Sequence, residues 1–198
     1  MVDVRREAES ADELTTALHA ARHGDEHAFR VVYRTVHPGL LRYVRILVGD
    51  DAEDVVSEAW LQIVRDLDRF SGDGAAFRGW ASIIARHRAL DHLRHHRRRP
   101  AVATSPEEMP ETVSDKDAAD LALDVLSTDQ AVAMIASLPM EQAEAVMLRV
   151  VLGLDAQSAA KVLGKRPGAV RMAAHRGLRR LAETLRRPQP SEVGEIGE

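Results

Sequence analysis

Apolar residues recur at spacings of three and four throughout this 198-residue chain, and strand-like alternation is nearly absent. Only a helix gathers positions so spaced onto one face. Aromatics are few while Ala, Leu, Val and Arg are many, so the expected fold is all-α. The first expected helix is Asp12–His23, with Leu14, Ala17, Leu18 and Ala21 on one side and Gly24 ending it. Asp25 caps a helix bearing Phe29, Val32, Tyr33 and Val36. Pro38 is tolerated in a first turn, which predicts a new or kinked helix over His37–Val48. Asp50 or Asp51 caps a helix burying Val56, Ala59, Ile63, Leu67 and Phe70. After the turn Ser71-Gly72-Asp73-Gly74, a helix from Ala75 to about Arg97 sets Phe77, Trp80, Ala81 and Ile84 on one face.

From Pro100 the pattern gives way to Pro, Glu, Ser and Thr, which predicts an extended, acidic, flexible linker. Helical spacing resumes near Leu121 or Asp129 with Val132, Ile135 and Leu138. Pro139 then opens a helix burying Ala143, Val146, Met147 and Val150, closed by Gly153. A short helix, Asp155–Leu163, stops at Gly164, and Pro167 starts the last long one. The expected organisation is an N-terminal segment with a short helix (1–24), a helical domain (25–99), the linker (100–128), a second helical domain (129–187) and a disordered tail (188–198).

Net charge is −4 and the isoelectric point near 6.1, so the total gives no sign of a nucleic-acid partner. The distribution does. Six arginines face the single acid Asp91 between Arg86 and Arg99, and nine Lys or Arg face only Glu183 between Lys161 and Arg187. Such blocks make local fields that the sum conceals. The absence of cysteine excludes disulfides, thiolate metal sites and a cysteine nucleophile. The start, MVDVRREAES, lacks the apolar core of a signal peptide, and no apolar run approaches the roughly 20 residues of a membrane span. A cytoplasmic protein without membrane contact of its own is the expectation.

A short helix, a Gly-centred turn and a cationic helix are the elements that present a recognition helix to the major groove. In the last helix Val170, Ala174, Gly177, Leu178, Leu181 and Leu185 share one face, opposite Gly168, Arg171, Met172, His175, Arg176 and Arg179. Arg171 and Arg176 can donate paired bonds to guanine edges, while Lys165 and Arg166 at the helix start suit phosphates. Solvated surface arginines are the plain alternative; the tight turn and nearly acid-free face favour DNA.

Asp51, Glu53, Asp54 and Glu58 crowd the start of their helix, where acids also simply complement its dipole. With Ser57 and Leu61 they form a mixed acidic and apolar strip suited to a basic partner. Phe77 and Trp80 are expected to be at least partly buried as core rings; Arg78, Arg86, Arg88 and Arg94 around them supply phosphate contacts, as in sites that hold unstacked bases. His92 and His96 lie four apart, but no carboxylate constellation is nearby and arginines flank them, so no metal or cofactor is expected. No phosphate-cradling loop, zinc-protease helix or serine elbow is present, and no enzyme activity is expected.

DAEDVVSEAWLQIVRDLDRF followed by FRGWASIIARHRALDHLRHHRRR resembles region 2 of bacterial sigma-70-family initiation factors, nearest the extracytoplasmic-function (ECF) branch. LPMEQAEAVMLRVVLGLDAQSAAKVLGKRPGAVRMAAHRGLRRL is similar to their region 4. The resemblance implies that Asp54, Ser57, Glu58 and Leu61 dock on the β′ clamp helices of core RNA polymerase, with the β flap a further contact. It implies capture of the melted −10 element by Phe70, Ser71, Phe77, Arg78, Trp80, His87, Arg88 and Arg94. It also implies reading of the −35 duplex by Arg149, Lys165, Arg166, Arg171, Met172, Ala173, His175 and Arg176. Ser57 stands where the family often has Gln, and His87 where many relatives carry Asn. Met172 and Ala173 replace commoner small polar and basic residues, which shifts base readout onto Arg171 and Arg176. Core polymerase, promoter DNA and an anti-sigma factor are the implied partners, the chain being monomeric when free or 1:1 with the anti-sigma.

Two other readings fit parts of the pattern. A stand-alone helix-turn-helix regulator needs a dimer and palindromic half-sites, yet no coiled-coil heptad or ligand domain provides them. A sigma mimic that only sequesters an anti-sigma factor has no use for two basic DNA faces.

Overall fold

A computed structural model of the chain describes residues 3–98 and 128–186, with side chains over 12–98 and 130–186. The linker and the C-terminal tail expected from the sequence fall outside the described residues, apart from the end of the linker at Thr128. Every regular element described is helical. The first bundle comprises α1 (Asp3–Arg22), α2 (Glu26–Val48), α3 (Ala52–Asp66) and α4 (Gly74–Arg98). The second comprises α5 (Thr128–Ala136), α6 (Met140–Val146), α7 (Ala156–Leu163) and α8 (Pro167–Arg186).

Asp25 starts α2 as expected, its carboxylate accepting from the His27 and Ala28 amides at 2.8 and 3.0 Å. These bonds hold its pKa below the usual carboxylate value, the Ala28 amide most of all. Of the new or kinked helix expected at Pro38, the new helix does not occur: α2 continues through Pro38 as one element. Pro38 and Arg34, the residue whose carbonyl loses its donor, are both exposed, a position where a helix tolerates proline. The chain's first helix is also longer than expected. It is not a separate segment, since Leu14, Ala17, Leu18 and Ala21 are buried in the first bundle.

In the second bundle α6 passes into a π-helical turn over Met147–Val151. The extra residue in that turn rotates the following positions. Leu148 is therefore buried and Val150, expected in the core, is 57% exposed. In α8 the buried stripe is Val170, Ala173, Ala174 and Gly177, while Leu178 and Leu185, expected inside, face solvent. Gly177 is required by a close approach: a Cβ there would lie 2.7 Å from Cγ2 of Val146.

The two bundles share one continuous buried apolar cluster. Gly39 on α2 meets Leu152, and Gly79 on α4 meets Ser158 on α7. The domains are thus packed face to face, a relationship that sequence spacing does not reveal.

Candidate nucleic-acid and polymerase interfaces

Three surfaces carry the residues singled out in the sequence, and a fourth, unforeseen group joins the bundles.

On α3 the acidic strip forms as expected. Asp54, Ser57, Glu58 and Leu61 are all exposed on one face, and Leu61 is 66% exposed. Val64, 53% exposed one turn further on, extends its apolar part. The three-residue spacing from Leu61 was the signal for it. A cavity of about 300 Å³ opens beside the strip, lined by Glu58, Leu61, Gln62, Arg65 and Arg88.

The loop between α3 and α4 and the α4 helix hold the second set. Phe70, Phe77 and Trp80 form a triad with ring centroids 5.1–5.7 Å apart. Phe77 is wholly buried and Phe70 nearly so, which corrects their assignment as DNA contacts: both are core rings that prop Trp80. Trp80 is half-buried and keeps part of its ring at the surface. Asp73 stiffens the loop by accepting from the Ala76 amide at 2.7 Å, and the Gly74 amide donates to Thr15 Oγ1 at 2.9 Å. Gly72 has φ 149°, and a Cβ there would strike Ala76 and the Phe70 ring. Ser71, at the tip, is exposed.

Trp80, His87 and Arg94 succeed each other every seven residues and so line one stripe of α4. Arg94 is exposed and paired with Asp91 at 2.6 Å. Arg88 is not part of that stripe. Its guanidinium turns to α3, giving two bonds to Gln62 Oε1 at 3.1 and 2.8 Å, and it lines the cavity beside Leu61. Helical spacing puts Arg78, half-buried, on the far side from Trp80. The eight residues expected to meet −10 DNA therefore do not form one surface.

The helix-turn-helix is built from α7, its turn and α8. Asp155 caps α7 by accepting from the Ser158 amide at 2.6 Å, which lowers its pKa. Gly164 adopts the left-handed conformation (φ 63°, ψ 33°) that ends the helix. Lys165, Arg166, Arg171, Met172, His175 and Arg176 are exposed together on and before α8. Lys165 is ion-paired with Glu141, and that hydrogen bond, with further attraction from the pair's charges and from Arg176, lowers the Glu141 pKa. Two expected members do not belong. Ala173 is 7% exposed and faces the core. Arg149 sits in the π turn and donates to the Leu154 carbonyl at 2.6 Å, so it fastens the bundle's own loop.

The fourth group joins the domains. Glu144 on α6 is buried, and its Oε1 accepts from the Tyr43 hydroxyl on α2 at 2.9 Å and from Arg86 Nε on α4 at 2.7 Å. Burial above all, reinforced by Glu144, pushes the Tyr43 pKa well up. Burial opposes the charge on Arg86, but the bond and charge of Glu144 outweigh it and raise that pKa. Sequence spacing gave no signal for this group, whose three members come from α2, α4 and α6.

Comparison with known proteins places the two bundles. The sigma-70 region 2 model matches residues 32–99, and the sigma-70 region 4 model matches 119–181. The ECF RNA polymerase sigma factor ShbA of Streptomyces griseus is 36% identical over 86% of this chain and 96% of its own. SigD of Mycobacterium tuberculosis, also an ECF RNA polymerase sigma factor, is 34% identical over 82% of this chain and 79% of its own. Among solved structures, RpoE of Bartonella quintana, determined with the anti-sigma factor NepR, shares the fold with a TM-score of 0.58 at 21% identity, covering 81% of this chain and 98% of that one. On these matches, with both regions present in order in one chain, the protein belongs to the ECF sigma factors of the sigma-70 family.

Proposed function

We propose that this sigma factor docks on core polymerase through the α3 strip of Asp54, Ser57, Glu58 and Leu61, extended by Val64. Acids ringed around exposed apolar side chains suit a basic partner helix, steering its approach and then burying the apolar part. Trp80, His87 and Arg94, with Ser71 at the loop tip, meet the melted −10 strand. Trp80 offers the one partly exposed aromatic face of its cluster for stacking, and Arg94 a cation for the backbone. Arg171, Met172, His175 and Arg176 enter the −35 major groove, and Lys165 and Arg166 hold its phosphates. The domain limits remain 25–99 and 129–187, with α1 packed onto the first unit.

The chain acts as a dissociable specificity subunit, cytoplasmic and without catalysis of its own. No helix among the described residues is long and apolar enough to cross a membrane, which is consistent with that location. Anti-sigma control is part of the proposal, supported by the structural neighbour RpoE, whose structure contains the anti-sigma factor NepR.

The observation that carries the reading is the coexistence of the exposed α3 strip and the cationic face of α8 in one chain. Because α7 lies against α4 and Glu144 ties the bundles, engagement of both promoter elements requires the domains to part. A pull-down with bacterial core polymerase tests the docking face. Leu61→Asp with Val64→Asp abolishes retention if α3 is the contact; retention equal to the unaltered protein overturns the assignment.

A further inference from the structure

His92 and His96 follow one another by one helical turn near the end of α4, their rings 4.4 Å apart. The fold adds what the local sequence lacks, a carboxylate from 41 residues earlier. Asp51 immediately precedes α3 but gives its helix no side-chain cap bond. Its Oδ2 instead lies 2.9 Å from Nε2 of His92. One donor atom from each of Asp51, His92 and His96 lies within 4.8 Å of the others.

We propose that Asp51, His92 and His96 form a binding site for a divalent transition cation, Zn²⁺ or one of similar preference. Two imidazoles and a carboxylate are borderline ligands that suit Zn²⁺, Co²⁺ and Ni²⁺ and discriminate against Mg²⁺ and Ca²⁺. Metal–ligand bonds of about 2.0–2.2 Å require the three donors to draw together by roughly an ångström at the widest edge. His96 is exposed and free to make that rotation, whereas His92 is held by the α3–α4 contact. Arg94 is paired with Asp91, while Arg88 is turned to Gln62 on α3 and keeps its charge. An open hollow of about 600 Å³, lined also by Glu58, Asp91, Arg88, Arg94 and Arg98, lies beside His92 and His96 and leaves room for water at the remaining coordination positions.

Such a cation would tie the turn before α3 to the end of α4, joining the roots of the two helices assigned above to polymerase and to −10 DNA. The site itself does not depend on those assignments, and its test needs neither partner.

Titration of untagged, chelator-stripped full-length protein with ZnCl₂ by calorimetry is expected to show one equivalent bound with sub-millimolar affinity. CoCl₂ should give visible ligand-field bands that ZnCl₂ abolishes. His92→Gln and His96→Gln should each weaken binding by about tenfold or more, and Asp51→Asn by less, while His95→Gln leaves it unchanged. Helical circular dichroism of each variant separates lost ligation from lost fold. Absence of saturable binding, or equal affinity in the His92→Gln/His96→Gln double variant, overturns the proposal. So does a loss in His95→Gln matching that in His92→Gln.

Discussion

Replacing Glu144 with Ala should open the molecule. The carboxylate accepts two close hydrogen bonds, from Arg86 at 2.7 Å and Tyr43 at 2.9 Å, and both bind a charged group. The side chains of Arg86 and Glu144 are only 20% and 10% exposed, so little water replaces what is lost. Stranding one partner of a well-buried pair costs about 3–5 kcal/mol. Here Arg86 and the Tyr43 hydroxyl can regain water if the domains separate, so the cost falls on closure rather than on folding. A weakening of closure by about 2–4 kcal/mol follows, or roughly 30- to 1000-fold in the closed-to-open ratio. The chain has no cysteine, so Arg65→Cys and Arg180→Cys, both at exposed positions, allow spin labels one in each domain. Pulsed electron resonance on the unaltered background should give a narrow distance distribution, and Glu144→Ala a broad one with long distances. Glu144→Gln, which keeps an acceptor for Tyr43 but not the charge, should fall between them. An unchanged distribution in Glu144→Ala, with helicity intact, would refute the assignment of closure to this group.

Two further predictions concern the bundles separately. Gly177→Ala puts a methyl 2.7 Å from the stiff β-branched Val146, and should destabilise the second bundle by about 1–3 kcal/mol, read by calorimetry; an unaltered melting temperature would contradict the close packing of α6 and α8. His37, stacked on Tyr33 at 4.5 Å, has its pKa lowered by burial, partly offset by Glu53. The unfolded chain therefore binds this proton first. The stabilising contribution is whole above the unfolded value of about 6.5 and declines as pH falls through it toward the lower folded value. Thermal melts from pH 7.5 to 5.5 should fall less steeply for His37→Gln than for the unaltered protein, and parallel slopes would refute the assignment.

Periodicity and helix-end signals carried most of the secondary structure. Asp25, Asp155, Gly164 and Pro167 each bound a helix where their backbone chemistry requires. Pro38 misled because a helix tolerates a missing amide at an exposed position. Val150 misled because a π turn shifts the helical register, and that turn has no mark in a pattern of apolar spacing. The shared exposure of Arg171, Met172, His175 and Arg176 on one face of α8 was legible from helical spacing. The burial of Phe77 was legible from its spacing with Ala81 and Ile84, and only the family motif assigned it to DNA; Ala173 was not legible, because a motif does not state which side of its own helix is occupied by the core. Arg88 and Arg149 show a related limit: charge suggests a phosphate, whereas Gln62 and the Leu154 carbonyl are the partners within reach. Contacts between elements distant in sequence, Tyr43 with Glu144 and Asp51 with His92, required the fold itself.

Run-off transcription with purified bacterial core polymerase and a library of genomic promoter fragments tests the central claim most directly. The protein should produce defined starts with core that core alone does not, and Arg171→Ala with Arg176→Ala should abolish them. Defined starts that survive the double change would contradict the −35 assignment to α8. No transcripts, with no retention on core, would contradict the initiation role itself.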